Sequence, residues 1–296
     1  MKTRKVPDPD VRRTWLFLPG ADPECHNAGL ATPADVLVID LEDFTPAKLR
    51  PRARQMLGGL LARCHDAERP AAVRINSLDG DGLIDLEAAV LAGADMIAYP
   101  KASAPEEMQR LDAALSECAS RFEKADPPVE ILPVVETALG VVNTAAIARA
   151  SSRIRCALLG AEDLAADLCA DRHEDDIELD YARRSFLLAS RAAGIEPIDA
   201  PYTFAGADGA RAAARYAARL GYRCKAVVRP EHVTPVNEAF TPTEDQIRKA
   251  ERFVEEFIKA RERGEDRALV DGLWVEVPTF GRAQRLLDRA ARLRRR

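Results

Sequence analysis

Charged side chains occur at intervals along this chain, each time directly after a short apolar run. Most are acidic, and two arginines, a lysine and an asparagine accompany them. They are Asp40, Glu42, Asp43, Arg74, Asn76, Lys101, Glu136, Glu162, Asp163 and Arg229. Several acids together with two arginines suggest a divalent cation and an anionic substrate. Glu136 and Asp163 are the candidate ligands, because Mg²⁺ takes one or two protein carboxylates and completes its octahedron with waters and substrate oxygens.

Arg74 is the candidate for polarising the substrate. Its guanidinium offers a planar fork of donors, which suits a carboxylate or a developing enolate. The alternative is that these charges are ordinary solvated loop residues. Arg74 would then pair with Asp40 or Glu42, and the two candidate ligands would pair with Arg74 or Lys101. Lys101 could also form a Schiff base, as lysine does in one class of aldolases, but two nearby acids favour charge pairing.

Other catalytic patterns are absent from the sequence. The four histidines show no metal spacing, no GxSxG nucleophile elbow occurs, and no glycine-rich phosphate loop is present. The six cysteines are far apart and form no CxxC pair, which favours reduced thiols over a disulfide framework or a zinc site.

Eight apolar runs that alternate with helical patterns predict βα units and a parallel sheet. The predicted strands are Thr14–Pro19, Val36–Leu41, Ala71–Ile75, Met96–Tyr99, Val129–Val135, Cys156–Leu159, Pro197–Tyr202 and Lys225–Val228. Helices are predicted over Leu83–Ala92, Pro105–Phe122, Asp180–Ala193, Ala207–Leu220 and Thr243–Arg263. Closing the sheet removes both of its edges, and it brings the polar residues together at the C-terminal ends of the strands.

We therefore predict an α/β fold with two parts. Residues 1–265 would form a (β/α)₈ TIM barrel, and residues 266–296 would form a C-terminal helical tail outside it that acts as a lid. The competing fold, an open doubly wound sheet, would favour a glycine-rich phosphate loop after an early strand, and none is found.

Charge and terminal sequences bear on location and partners. The net charge is −5, and no apolar run reaches the roughly 18 residues that a membrane span needs. The segment Met1–Arg13 is charged and lacks the apolar stretch of a signal peptide, so we expect a cytoplasmic protein without a membrane partner. The basic segment Arg289–Arg296 closes a predicted helix and carries no aromatic residues, which disfavours a nucleic-acid partner.

Eight short motifs occur in a specific order between Arg12 and the last helix. They are Leu16–Gly20, Ile39–Asp43, Val73–Asn76, Tyr99–Lys101, Glu136–Gly140, Gly160–Leu164, Tyr181–Arg183 and Asn237–Pro242. In this order and spacing, the chain resembles the citrate lyase β-subunit and malyl-CoA lyase family of metal-dependent aldolases and lyases. The resemblance implies a (β/α)₈ barrel that assembles as a homotrimer or hexamer and uses Mg²⁺, with Mn²⁺ as the alternative ion.

The resemblance also implies roles for individual residues. Glu136 and Asp163 would hold the metal, and Arg74 would bind the keto oxygen of glyoxylate, oxaloacetate or pyruvate. Glu276, in the tail, would be the general acid–base and would reach into the site of a neighbouring subunit. The catalytic set would be completed by Asp40, Glu42 and Asp43, which position Arg74 and metal-bound waters. The substrate-binding set would consist of Arg74, Ala161, Glu162, Asp163 and Lys101.

Three features of the sequence depart from the pattern of that family. Glu276 stands where an aspartate is usual, and its extra methylene moves the carboxylate by about an ångström. Arg229 stands where a histidine usually precedes the proline. Asp22 and Glu24 occupy the loop after the first strand, which is usually basic and helps to bind CoA.

The sequence thus predicts a Mg²⁺-dependent carbon–carbon lyase or aldolase. It would cleave a β-hydroxyacyl thioester of the malyl-CoA, citramalyl-CoA or citryl type, or a hydroxy acid, into a keto acid and an acyl product, with CoA as the expected carrier. The alternatives are a CoA-independent aldolase for pyruvate-type keto acids, a non-catalytic paralogue that binds metal and keto acid, and a lyase subunit whose thioester arrives on a carrier protein.

Overall fold

The apolar runs of the sequence lie side by side and in parallel in the computed structural model, which describes residues 6–122 and 128–295. The barrel strands are β1 (Thr14–Pro19), β2 (Val36–Asp40), β3 (Ala71–Arg74), β4 (Met96–Tyr99), β5 (Glu130–Val135), β6 (Cys156–Leu159), β7 (Glu196–Asp199) and β8 (Cys224–Val227). Within the described residues these eight strands form one closed barrel in chain order, with β1 paired to β8. The predicted (β/α)₈ barrel is confirmed.

Helices alternate with the barrel strands and continue after β8. They are α1 (Pro23–Ala31), α2 (Arg50–Asp66), α3 (Gly82–Ala92), α4 (Pro105–Arg121), α5 (Ala138–Arg149), α6 (Glu162–Asp167), α7 (Asp180–Ala193), α8 (Ala207–Leu220), α9 (Val233–Phe240), α10 (Glu244–Glu262) and α11 (Val277–Arg294). Gly194 and Gly221 end α7 and α8 in the left-handed conformation, with φ of 81° and 118°. A glycine adopts that conformation without a Cβ clash.

The interior of the barrel explains why the strands read as continuous apolar runs. Every residue within strands β2 to β8 is buried, because both faces of each strand are covered. Val36 and Val38 of β2 belong to one apolar cluster with Ala72 of β3. Successive side chains alternate between the faces of a strand, so Asp40 and Arg74 continue the inward-facing rows at the C-terminal ends.

The chain divides into two compact units, Met1–Glu238 and Ala239–Arg296. The second unit contains α10, a hairpin of β9 (Ala268–Val270) and β10 (Leu273–Val275), and α11. Its core includes Phe253, Phe257, Val270 and Val275. The division that we predicted at residues 265 and 266 lies inside this unit, because α10 packs with the hairpin and with α11.

Among the described residues, no helix combines the length and the apolar character that a membrane crossing requires.

Candidate active site

A bidentate ion pair fixes Arg74 at the C-terminal ends of two neighbouring strands. The parallel register pairs Asp40, the last residue of β2, with Arg74, the last residue of β3. Nε and Nη2 of Arg74 donate to Oδ1 and Oδ2 of Asp40 at 2.8 and 2.5 Å. The amides of Glu42 and Phe44 donate to the same carboxylate at 2.9 and 3.0 Å. Four hydrogen bonds engage this carboxylate, so Asp40 acts as a positioning residue for Arg74.

Two aromatic rings and a second acid complete the surroundings of Arg74. Its Cζ lies 5.3 Å from the ring centroid of Phe17 and 5.6 Å from that of Phe44. Nη1 lies 3.1 Å from Oε2 of Glu42. Burial opposes the charge, but the contacts with Asp40 and Glu42 raise the pKa of Arg74 overall. The guanidinium is therefore a permanent cation in a fixed orientation.

Glu136 follows β5 and is only 3% exposed. The amide of Lys101 donates to its Oε1 at 2.9 Å. Gly160 makes room for this side chain, because a Cβ at residue 160 would lie 2.5 Å from Cβ and 2.6 Å from Oε2 of Glu136. Burial raises the pKa of Glu136 to about 7, against the opposing effects of Arg74 and the Lys101 amide. A cation that binds this carboxylate therefore competes with a proton near neutral pH.

Lys101 links both candidate metal ligands. Its φ of 51° lies in the left-handed region, which is costly for a residue with a Cβ. This conformation sends its amide to Glu136, while its Nζ lies 3.4 Å from Oε1 of Glu42 and 3.6 Å from Oδ1 of Asp163. Burial opposes the ammonium charge, but Glu42 and Asp163 raise the pKa of Lys101 overall.

These contacts connect most of the predicted site residues into one group, which we call the mouth cluster. It consists of Asp40, Glu42, Arg74, Lys101, Glu136 and Asp163. Asp43 is exposed beside it. Burial raises the pKa of Glu42, and the charge of Asp43 adds to that rise. Burial lowers the pKa of Lys101, but Glu42, Asp163 and Asp43 raise it overall.

The remaining predicted residues of the barrel lie outside the mouth cluster. Glu162 pairs with Arg172, 3.2 Å from its Nε, and its Oε1 accepts a hydrogen bond from Thr203 at 2.6 Å. Ala161 is buried directly before α6 and offers no functional side chain. Arg229 donates from Nε to the carbonyl oxygen of Thr203 at 3.4 Å. The substrate-binding roles of Ala161 and Glu162 stay predictions.

The acids of the mouth cluster suit a cation that prefers oxygen ligands. Asp163 and Glu42 both contribute to the raised pKa of Glu136, behind burial, so these carboxylates repel one another. Asp40 already engages two of the three guanidinium nitrogens of Arg74. Two carboxylates are the number that Mg²⁺ commonly takes. In the described parts of the chain, no group of three or more His, Cys, Asp or Glu side chains is arranged to hold a metal.

Glu276 lies in the second unit, on a hairpin whose register is set by its turn. Asp271 and Gly272 connect β9 to β10 and both have positive φ, 51° and 76°, as a two-residue type I′ turn requires. Continuing the pairing of Val275 with Ala268 by one step places Glu276 opposite Arg267.

The outer face of this hairpin carries Arg267, Leu269, Trp274 and Glu276, all of them exposed. The Arg267 guanidinium lies 4.0 Å from the Trp274 ring centroid, and its Nη1 is 3.8 Å from Oε1 of Glu276. Glu276 is thus an accessible carboxylate beside one cation, in a different unit from the mouth cluster.

Sequence reasoning missed four residues that shape these sites, namely Phe17, Phe44, Gly160 and Arg267. Phe17 was detectable, because it occupies the inward-facing row of β1 that precedes the site. Gly160 was also detectable as a glycine between a strand and two acids, where close approach of another group is common. Phe44 and Arg267 gave no such signal without a defined turn and register.

The sequence model of the HpcH/HpaI aldolase/citrate lyase family matches residues 13–230, which span the barrel from β1 to β8. The chain belongs to this family. The predicted family membership is confirmed, and with it the class of carbon–carbon lyases.

Relatives and solved structures agree with this assignment. Citrate lyase subunit beta of Haemophilus influenzae is 31% identical over 282 residues, which cover 95% of this chain and 97% of the relative. The mitochondrial citramalyl-CoA lyase of Rattus norvegicus is 28% identical over 298 residues, which cover 96% of this chain and 87% of the relative. Protein CitE of Mycobacterium tuberculosis, crystallised with magnesium, acetoacetate and coenzyme A, matches with a TM-score of 0.73 and 28% identity. That match covers 94% of this chain and 98% of CitE.

Proposed function

We propose that this protein is a Mg²⁺-dependent carbon–carbon lyase that cleaves a β-hydroxy acid, or its acyl thioester, into a keto acid and an acyl product. The observation that carries the proposal is the mouth cluster, where two carboxylates share a site with a fixed guanidinium. The family and the magnesium-containing CitE structure support the reaction class and the ion. Mn²⁺ is the alternative ion, because it accepts the same oxygen ligands.

Four members of the mouth cluster have a defined task in this reaction. Glu136 and Asp163 would hold the ion, which would supply Lewis-acid stabilisation of the substrate oxygen that becomes the keto oxygen. Arg74 supplies a permanent positive charge to the same oxygen. The guanidinium therefore stabilises that oxygen most strongly when the oxygen carries negative charge. Asp40 holds the guanidinium in place, and the apolar rings of Phe17 and Phe44 limit water around it.

Carbon–carbon cleavage also needs proton transfer. The substrate hydroxyl loses its proton as the carbon–carbon bond breaks. The electron pair of that bond goes to the α-carbon of the acyl product, which leaves as an enolate and is then protonated. We assign this acid–base role to Glu276, an exposed carboxylate of the second unit. The assignment includes the prediction that Glu276 serves a neighbouring subunit in a homotrimer or hexamer. A cytoplasmic location also stays a prediction.

The acyl group of the substrate is either attached to a carrier such as CoA or present as the free acid. A cavity of about 560 Å³ lies between the loops that follow β1 and β2, and its lining includes Asp22, Glu24, Phe44 and Arg52. Two acids oppose the phosphates of CoA, although surface charges are screened and act weakly. We propose a CoA thioester as substrate because one relative is named a citramalyl-CoA lyase and CitE was crystallised with coenzyme A. A free hydroxy acid is the alternative that the acidic loop favours.

Turnover assays with purified protein separate these possibilities. The protein is incubated with Mg²⁺ and malyl-CoA, citramalyl-CoA or the corresponding free hydroxy acids, and the keto acid is trapped as its phenylhydrazone. We expect cleavage of a thioester by the wild type and a strong loss in Glu276→Ala. Cleavage of the free acids alone would refute the thioester and support the CoA-independent aldolase.

A citrate lyase β-subunit is the relative that supports a further alternative, a lyase subunit whose substrate is attached to a carrier protein. In that case the isolated chain binds Mg²⁺ and oxaloacetate in calorimetry but leaves every CoA thioester uncleaved. A non-catalytic paralogue gives the same result and also fails to cleave a thioester on an acyl carrier protein. Absence of both binding and turnover would contradict the proposed function as a whole.

A further inference from the structure

Lys101 makes an unusual combination of contacts for a single residue. Its amide donates to Glu136 and its ammonium faces Asp163, so it touches both proposed metal ligands. The left-handed backbone that allows this is held by neighbouring bonds. Ala102 donates its amide to the carbonyl of Val134 at 2.9 Å, and Ser103 donates its hydroxyl to the carbonyl of Lys101 at 2.9 Å. A strained conformation that its surroundings maintain is a reason to look for a role.

The position of the ammonium resembles that of a bound cation. Nζ lies between Oε1 of Glu42 and Oδ1 of Asp163, at 3.4 and 3.6 Å, and both distances are longer than those of a tight charged hydrogen bond. The Lys101 side chain is about half exposed, at 49%, so it has space to move toward solvent. Arg74 cannot substitute for it, because Asp40 and Glu42 already engage the guanidinium.

We propose that Lys101 is a built-in placeholder for the metal ion. In the metal-free protein its ammonium neutralises Asp163 and Glu42 and keeps the carboxylates together. Mg²⁺ displaces the ammonium when it binds, while the backbone amide of the same residue continues to hold Glu136. This inference rests on the proposed magnesium site and adds to it a competition between a tethered cation and a free one.

Competition has a consequence that distinguishes it from simple support. A residue that only supports the site would weaken Mg²⁺ binding when it is lost, whereas a competitor strengthens binding when it is lost. Half-exposed ion pairs contribute little free energy, so the expected gain in Mg²⁺ affinity is about two- to fivefold. The gain should shrink as ionic strength rises, because salt screens the same contacts.

Isothermal calorimetry with MgCl₂ tests this on wild type, Lys101→Met and Lys101→Arg. We expect the dissociation constant of Lys101→Met to fall about two- to fivefold and Lys101→Arg to show no such gain. Lys259→Met is the matched control, since Lys259 pairs with Glu255 and Glu256 on α10, and it should bind Mg²⁺ like wild type. Circular dichroism confirms that each variant is folded.

A second readout follows the ammonium itself in the wild-type protein. Limited acetylation with acetic anhydride and peptide mass spectrometry compare the reactivity of Lys101 and Lys259 with and without Mg²⁺. We expect Mg²⁺ to raise the acetylation rate of Lys101 about twofold or more and to leave Lys259 unchanged. Unchanged or weaker Mg²⁺ binding by Lys101→Met, or unchanged or lower reactivity of Lys101 with Mg²⁺, overturns the placeholder. Glu136→Gln separates the two proposals, because wild-type Mg²⁺ affinity in that variant overturns the metal site itself.

Discussion

Replacing Glu136 by glutamine should stabilise the metal-free protein and at the same time remove its response to Mg²⁺. The side chain is 3% exposed, and burial raises its pKa to about 7, against an ordinary 4.5. At pH 8 the ionised group therefore raises the free energy of the folded protein by about 3 kcal/mol. Glutamine has nearly the same shape and keeps an oxygen for the amide of Lys101, but it carries no charge.

The pH dependence of this effect follows from the direction of the shift. A carboxyl whose pKa is raised on folding binds more protons in the folded state than in the unfolded chain between pH 4.5 and 7. The stability of metal-free wild type should therefore fall as the pH rises through that window and level off above it. The advantage of Glu136→Gln should be small near pH 4.5 and reach about 3 kcal/mol at pH 8.

Chemical denaturation in EDTA at pH 5 and pH 8 measures the free energy of unfolding of the metal-free protein at each pH. Denaturation in Mg²⁺ at pH 8 measures the stability that the ion adds. Wild type should gain stability from Mg²⁺ in proportion to the logarithm of its concentration, whereas Glu136→Gln should gain almost none. Glu117→Gln, an exposed glutamate on α4, is the matched control and should behave like wild type in every condition. A variant that is less stable than wild type in EDTA at pH 8, or equally stabilised by Mg²⁺, would refute this reasoning.

Three further substitutions test the other parts of the site. Gly160→Ala places a Cβ 2.5 Å from Cβ of Glu136, so calorimetry should show Mg²⁺ affinity reduced by about tenfold or more, and wild-type affinity would contradict the close packing. Arg74→Lys keeps the charge but loses the fork that Asp40 holds; we expect kcat/KM to fall about 100-fold with little change in Mg²⁺ affinity. Glu276→Gln should lower kcat by about 100-fold or more and leave Mg²⁺ binding unchanged, and full activity in either of these variants would remove the assigned role.

The barrel could be predicted from the sequence because burial on both faces gives each strand an apolar run of its own. The edge at which the polar residues meet followed from the same reasoning, since parallel strands carry their C-terminal ends to one mouth. Directions of side chains were beyond this reasoning. Glu162 and Asp163 are neighbours in sequence, yet Glu162 pairs with Arg172 while Asp163 faces Lys101. Only the backbone at the start of α6 determines which of the two reaches the mouth cluster.

The tail shows the opposite case, in which a readable signal was overlooked. Asp271 and Gly272 stand between Ala268–Val270 and Leu273–Val275, and an Asp-Gly pair between apolar residues is a strong hairpin signal. Reading it would have fixed the register that sets Arg267 opposite Glu276. The sequence offered less about α10, which we assigned to the barrel. Its apolar stripe predicts that one face of the helix is buried, but it does not indicate which surface that face covers.

The claim on which the account depends is that Glu136 and Asp163 share one divalent cation. Crystals grown at pH 8 with Mn²⁺ test it most directly, because the anomalous signal of manganese locates the ion without reference to its ligands. We expect one anomalous peak per chain, bound by a carboxylate oxygen from each of the two residues, with the Lys101 ammonium moved away from Asp163. Absence of a peak there, with Asp163 still paired to Lys101 and Glu136 without an ion, would contradict the account.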